Sequence, residues 1–215
     1  MHTLQKGILI AIEGIDGSGK SSLAKNLYQE LLNQKYPVLL TKEPGATPFG
    51  QHLRALVQEK KVAICPKAEF LLFATDRAQH FHEVIIPHLA AHKIIVSDRM
   101  ADSSLVYQGY GRGLDIPMIN TINSWVMNGI TPDLTVYVKV LPDVAAQRIM
   151  KRNAELTSFE KEKKDFIQKL VDGFDALYKG RKDVIIIDGN LTLQDVTTQA
   201  TTAVISWISQ FQQTT

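Results

Sequence analysis

Gly7-Ile8-Leu9-Ile10-Ala11-Ile12-Glu13-Gly14-Ile15-Asp16-Gly17-Ser18-Gly19-Lys20-Ser21-Ser22 is the stretch on which the fold turns. Ile8–Ile12 is a short unbroken apolar run, the pattern of a strand buried on both faces of a sheet. Gly14 to Ser21 then satisfies the spacing G-x-x-x-x-G-K-[ST]. The residues that follow, Leu23, Ala24, Leu27, Tyr28, Leu31 and Leu32, recur at helical spacing until Tyr36-Pro37 closes the helix. Strand, glycine loop and helix in that order are the context in which this spacing marks a phosphate-binding loop. Glycines let the backbone turn sharply and approach an anion with N–H groups alone, and the helix N-terminus adds partial positive charge. Gly14, Ile15, Asp16, Gly17, Ser18, Gly19, Lys20, Ser21 and Ser22 are therefore the candidate nucleotide cradle. Lys20 is expected at the β- and γ-phosphates, and the Ser21 hydroxyl at a Mg²⁺ ion.

Four more apolar runs lie outward from this one, at Val38–Lys42, Lys93–Asp98, Leu134–Val140 and Asp183–Asp188. Amphipathic stretches alternate with them, which predicts an α/β fold with a parallel sheet covered by helices. Further helices are expected at Phe49–Glu59, Lys67–His92, Asp115–Asn128, Asp143–Lys151, Phe159–Lys179 and Leu193–Phe211. Gln108–Pro117, with three glycines, and Lys151–Ser158, rich in polar residues, read as mobile loops. The third run ends in Asp98-Arg99. A parallel sheet brings that pair to the same edge as the phosphate loop. There Asp98 is placed to hold Mg²⁺, through water, and Arg99 to clamp a phosphate bidentately.

The 215 residues suit one α/β domain, so residues 1–215 are read as a single unit. Lys and Arg total 24 against 22 Asp and Glu, a net charge of +2, which gives no footing for nucleic-acid or membrane-surface binding. Glu13 ends the first apolar run far short of a signal peptide, and no run approaches the roughly 18 residues needed to cross a bilayer. Cys65 has no second cysteine to pair with, which suits a reducing compartment, so a soluble, cytoplasmic protein is expected. His80, His82, His88 and His92 alternate with Phe81, Val84, Ile85 and Pro87 and read as a helix packed on the sheet rather than as metal ligands.

Several further motifs accompany the phosphate loop in the same order as in one family. They are Glu43-Pro44-Gly45, Leu72-Phe73-Ala74-Thr75-Asp76-Arg77, Asp98-Arg99 with Ser103-Ser104, Tyr107-Gln108-Gly109, and Arg112-Gly113-Leu114. Together they resemble the thymidylate kinases over about residues 7–190. The resemblance implies a P-loop NTPase fold with a five-stranded parallel sheet, helices on both faces and a short lid. It also implies transfer of the γ-phosphoryl of ATP to dTMP, with Mg²⁺, by a homodimer.

Carried onto this chain, it makes Phe73 the ring that stacks on thymine and Arg77 a donor to a thymine carbonyl. Ser104 and Gln108 would face the base edge, and Tyr107 the deoxyribose. Arg99 would bind the dTMP phosphate, with Asp16 and Glu43 close to the acceptor. An aromatic ring with a cation four residues on suits a flat base with a phosphate tail. Phe73 taken alone reads better as core beside Phe70, Leu71 and Leu72, a reading that the pairing with Arg77 weakens without removing, and Tyr107 is open to both readings.

The phosphate loop carries no arginine of its own, so a second cation is expected from a lid at about residues 148–160. Arg148, Lys151 and Arg152 resemble the basic lid of the bacterial type. Glu155-Leu156-Thr157-Ser158-Phe159-Glu160 departs from the usual Glu-Leu-Asp-Arg-x-Glu, which puts the expectation on Arg148 and Arg152. Lys139 and Met100 are further departures. The dimer face is expected around Ala68–Ile86 and Ile119–Val126. The competing readings are another nucleoside or nucleotide kinase, or a P-loop regulatory ATPase without a small acceptor.

Overall fold

The computed structural model describes residues 4–59, 63–152, 156–160, 162 and 164–212. Five strands, β1 (Ile8–Glu13), β2 (Val38–Lys42), β3 (Ile94–Asp98), β4 (Leu134–Lys139) and β5 (Val184–Asp188), form one sheet in the order β2-β3-β1-β4-β5. Every pairing is parallel. The central strand β1 is buried at all six positions, which is why its sequence shows no polar alternation until Glu13. Its neighbours β3 and β4 leave it toward opposite sides, so a crevice opens at the carboxyl ends of these strands.

Alternation along β1 sends side chains to the two faces of the sheet. Ile8, Ile10 and Ile12 pack with Leu23, Leu27 and Leu31 of α1 (Lys20–Asn33) and with Val196, Ala200 and Val204 of α9 (Leu193–Phe211). On the other face Leu9 and Ala11 meet Phe81, Ile85, Met100 and Met127. Beside them lies an aromatic cluster in which Tyr137 of β4 stacks on Phe174 at 5.1 Å between ring centroids, with Tyr178 at 5.7 Å from Phe174. These residues reach the sheet from α8 (Lys164–Tyr178).

The remaining helices are α2 (Pro48–Glu59), α3 (Pro66–His80), α4 (Ile86–Ala90), α5 (Ala101–Ser104), α6 (Ile116–Val126) and α7 (Pro142–Lys151). Strand and helix positions follow the sequence pattern closely, with three differences. The helix expected over Lys67–His92 is divided into α3 and α4 by a π-helical turn, Phe81–Ile85, just before Pro87 at the start of α4. Proline has no N–H to give the preceding turn, and a widened turn accommodates that loss. The helix expected from Phe159 begins at Lys164, because Phe159 is drawn away to pack against Phe73 and Tyr107.

Third, Gln108–Pro117 is not a loop at its start. The chain is helical from α5 through a π-helical stretch, Leu105–Gly111, and Gln108 and Gly109 are buried. The glycines serve close approach: a Cβ on Gly111 would meet the Phe166 ring at 2.7 Å. Of the segment Lys151–Ser158, residues 153–155 lie outside the described residues.

Phe174 is fully buried in the stack that joins α8 to the sheet. Phe174→Ala is expected to lower unfolding stability by about 3–5 kcal/mol. Urea denaturation with an unchanged slope is the measurement that checks it.

Candidate functional site

The loop after β1 reaches α1 through Gly14, Gly17 and Gly19, all at positive φ. Gly17 is required twice over, since its φ is 80° and a Cβ there would meet the Ala145 carbonyl oxygen at 2.4 Å. Gly19 caps α1 with no side chain over the first turn, so the leading N–H groups face the crevice. Lys20 opens the helix almost wholly buried. Its Nζ donates to the Ile15 carbonyl and to Asp16 Oδ1, both at 3.3 Å. Burial, then the neighbouring Arg99 charge, lower the Lys20 pKa below the usual lysine value.

Arg99 follows β3 in the left-handed region at φ 73°, a conformation that L side chains rarely adopt unless their surroundings hold it. Here the Arg99 N–H donates to the Ile12 carbonyl at 3.0 Å, and Ser97 Oγ donates to the Arg99 carbonyl at 2.8 Å. The turn is completed by Glu13, whose buried carboxylate accepts from Met100 N at 2.7 Å and from Ser103 Oγ at 2.6 Å. The guanidinium then donates to Asp16 Oδ1 at 2.6 Å, Ser103 Oγ at 3.0 Å, the Gly14 carbonyl at 3.1 Å and Tyr107 Oη at 3.1 Å. It also lies over the Tyr107 ring, 4.9 Å from its centroid. Burial alone would raise the Asp16 pKa. Arg99 and Lys20 outweigh it, and the carboxyl titrates well below the usual range.

Asp98 turns into the same crevice with Oδ1 buried and without a hydrogen-bond partner, and Ser18 Oγ is in the same condition. An unpaired buried carboxylate oxygen beside a phosphate loop is a hard donor of the kind Mg²⁺ takes, and the Ser21 hydroxyl at the start of α1 is a second. Among the described residues no three His, Cys, Asp or Glu side chains gather as a metal cage.

The far end of the crevice is polar and buried. Arg77, 2% exposed, donates from Nε to Glu43 Oε2 at 2.8 Å, from Nη1 to Asn123 Oδ1 at 2.7 Å, and from Nη2 to the Met100 carbonyl and Ser104 Oγ, both at 3.2 Å. His80 Nδ1 lies 3.0 Å from Glu43 Oε1, and its Nε2 2.7 Å from Thr41 Oγ1. Glu43 thus has both oxygens engaged. Burial would raise its pKa, but Arg77 and His80 pull it below the usual carboxylate value. Phe73 packs 6.0 Å from Phe159, and Phe159 meets Tyr107 edge-on at 5.7 Å. Gln108 is buried and donates to Glu69.

On the lid side, Arg148 donates to three backbone carbonyls, Gly189 at 2.7 Å, Leu191 at 3.1 Å and Ser18 at 3.3 Å. Arg152 pairs with Glu160 at 2.9 Å and remains half-exposed. Ser158 Oγ donates across to the Val57 carbonyl of α2 at 3.1 Å.

One cavity of about 540 Å³ runs between these ends, lined by the phosphate loop, Arg54, Phe73, Asp98, Gln108 and Arg152. That volume is in the range of small-ligand sites. The structure gathers the sequence-predicted residues around it except Lys151, which is exposed away from it, and Gly14 and Ile15, which lie behind the loop and hold Arg99 and Lys20 through their carbonyls.

It adds three residues that the sequence analysis did not single out. Arg54 of α2 donates to the Pro44 carbonyl at 2.9 Å and faces Asp98, Asp16 and Asp76. The others are Glu13 and Glu69. The only available signal for Arg54 was its place on the helix that follows Glu43-Pro44-Gly45.

A family model described as Thymidylate kinase matches residues 12–200. The thymidylate kinase of Halothermothrix orenii is 49% identical over 130 residues, covering 60% of this chain and 63% of that protein. That of Thermoanaerobacter sp. (strain X514) is 41% identical over 192 residues, covering 89% of this chain and 94% of its own. The crystal structure of thymidylate kinase from Ehrlichia chaffeensis matches with a TM-score of 0.76 at 29% identity, over 93% of this chain and 99% of that one.

Burial, reinforced by Asp102, pushes the Glu13 pKa from 4.5 up to about 7, against the opposing pull of Arg99. The folded state therefore holds this proton more tightly than the unfolded chain, and stability falls as pH rises through that interval. Unfolding measured between about pH 5 and pH 7 is expected to show wild type losing stability relative to Glu13→Gln. A difference that does not change with pH would contradict it.

Proposed function

This chain belongs to the thymidylate kinase family and phosphorylates dTMP to dTDP, and we propose that ATP and dTMP meet end to end in the cavity between the phosphate loop and the Arg77 network. The observation that carries this reading is the position of Arg99, set between the two ends and bonded to Asp16 of the loop at 2.6 Å.

In this reading the N–H groups from Gly14 to Ser22 cradle the ATP phosphates, and Lys20 reaches the β- and γ-oxygens. Arg99 and Arg54 receive the acceptor phosphate. Asp16, ionised at neutral pH, holds Arg99 extended and lies next to Tyr107, whose hydroxyl donates to Asp16 Oδ2 at 3.2 Å. Tyr107 borders the sugar, and Phe73 the base face. Arg77, Ser104 and Gln108 address the base edge, with Glu43 bracing Arg77. No general base is required of the protein, because a phosphate monoester is already largely anionic near pH 7.

The family uses ATP, and Ser21 and Asp98 are the residues that would hold Mg²⁺. When bound, that ion supplies neutralisation across the β- and γ-phosphates. Arg148 shapes the loop through the Ser18 carbonyl, and Arg152 is the lid cation with the freer reach. Residues 1–215 act as one kinase unit with its lid at about 148–160.

We place the reaction in the cytoplasm; no described helix is long and apolar enough to cross a membrane. A homodimer through the α3 and α6 faces is supported by the exposed side chains of Leu71, Met118 and Trp125, the last 78% exposed. A regulatory ATPase would have no use for the buried polar groups at the base end.

A coupled assay with Mg·ATP is expected to show turnover of dTMP well above dCMP and dGMP. Equal rates would defeat the reading. Arg99→Ala is expected to lose about 1,000-fold or more in dTMP turnover while ATP still binds. Replacing Arg148 and Arg152 together by Ala is expected to cost about 100-fold in kcat. A near-normal kcat in that double variant would assign the neutralising charge elsewhere.

A further inference from the structure

A primary amide can meet a base edge with its carbonyl oxygen or with its NH₂, and the two choices read opposite hydrogen-bond patterns. For Gln108, 1% exposed on the cavity wall, the choice is made from behind. Its Nε2 donates to Glu69 Oε1 at 3.0 Å. Glu69 lies on α3 and is 3% exposed, and Arg112 donates to both of its oxygens, at 3.3 and 3.5 Å. Arg112 is itself fixed by Glu162 at 2.6 Å and by the Phe166 ring, 4.5 Å from its centroid. A carboxylate whose oxygens face a guanidinium has only acceptors to offer Gln108. Turning the amide over would press Gln108 Oε1 against Glu69 Oε1, two acceptors in a buried place where neither finds water.

The orientation leaves Gln108 Oε1 for the cavity, and no described group donates to it. The adjacent wall has the opposite polarity. Arg77 is a donor only, and four of its five hydrogens are committed to Glu43, Asn123, Met100 and Ser104, which leaves one on Nη1. A donor beside an acceptor fits a pyrimidine that shows a carbonyl next to an N3–H, as thymine and uracil do. Cytosine presents an amino group and a bare N3, and meets both groups with the wrong sign.

We propose that Glu69 is a positioning residue for base selection: by holding the Gln108 amide from behind, it makes the site accept N3–H pyrimidines and refuse cytosine. The proposal rests on the reading in which Gln108 faces the base.

The test is the ratio of kcat/KM for dTMP to that for dCMP. Glu69→Gln keeps the shape but allows either end of Gln108 to be bonded. It is expected to lower the ratio about 10- to 100-fold, with KM for ATP little changed. A merely structural role would lower both substrates together, and an unchanged ratio overturns the proposal. The double variant Glu69→Gln with Gln108→Glu returns an acceptor to the base and a donor behind it. A recovered ratio supports the proposal, and one as low as in the single variant counts against it.

Gln108→Ala tells the two levels apart. If it leaves the ratio intact, the reading of Gln108 at the base has failed. If it collapses the ratio while Glu69→Gln does not, only the role of Glu69 falls. Should the Glu69 variants not fold, ¹⁵N NMR of the wild type still decides. The Gln108 side-chain NH₂ is expected to be protected from exchange before dTMP is added, and protection that arises only with dTMP overturns the proposal.

Discussion

The ion pair between Asp16 and Arg99, 2.6 Å long and largely out of solvent, joins the loop after β1 to the turn after β3. Burying either charge alone would cost several kcal/mol, and the pair is tolerated because each partner has further bonds. Asp16 also accepts from Lys20 and Tyr107, and Arg99 also donates to Gly14, Ser103 and Tyr107. The left-handed backbone of Arg99 is held by the Ile12 carbonyl and Ser97, and by the carboxylate of Glu13, which fixes Met100 and Ser103 just beyond it. The phosphate loop and Arg99 are therefore not independently placed. Both are set by the carboxyl end of one central strand.

The Arg77 end of the cavity is built differently. A set of acceptors fixes Arg77, from Glu43, Asn123, Met100 and Ser104, with His80 and Thr41 bracing Glu43 from behind. A polar network of this kind is costly when one member is missing and rigid when complete. Rigidity is what discrimination requires, since donors and acceptors that could swing would serve either hydrogen-bond pattern. Lys139, which departs from the resembling family, lies outside this network and pairs with Asp175 at the surface. Ser158, another departure, joins the lid segment to α2 through the Val57 carbonyl.

What the sequence made legible follows from what burial does to composition. Strands covered on both faces are largely apolar, so the inner strands β1, β3 and β4 stood out as runs, as did the apolar though only partly buried edge strands β2 and β5, and the glycine loop stood out because few side chains permit its backbone. Buried charge leaves no such mark. Glu13, Arg54 and Glu69 look in sequence like any solvated residue, and only the approach of distant segments makes them site residues. The glycines of Gln108–Pro117 illustrate the same limit: read as mobility, they proved in part to be clearance for Phe166 against Gly111. Phe73 could not be divided between core and ligand contact from sequence, and in the structure it packs on Phe159 while lining the cavity.

The net charge of +2 concealed this arrangement without contradicting it. Lys20, Arg77, Arg99 and Arg148 all converge on the crevice, and each is already met by a carboxylate or by backbone carbonyls. Lys20 and Arg99 share the one carboxylate of Asp16 and Arg148 meets only uncharged carbonyls, so the site keeps a net positive charge before any phosphate arrives. Lys20 holds its two partners at 3.3 Å, long for a charged hydrogen bond, and a phosphate oxygen offers a shorter one. Phosphate entry exchanges partners rather than filling a bare positive well. Part of the binding energy is then spent in loosening contacts to Asp16, and what remains depends on how well the reacting groups are aligned. A long polyanion gains little from such a surface. Two small phosphates placed end to end gain a great deal.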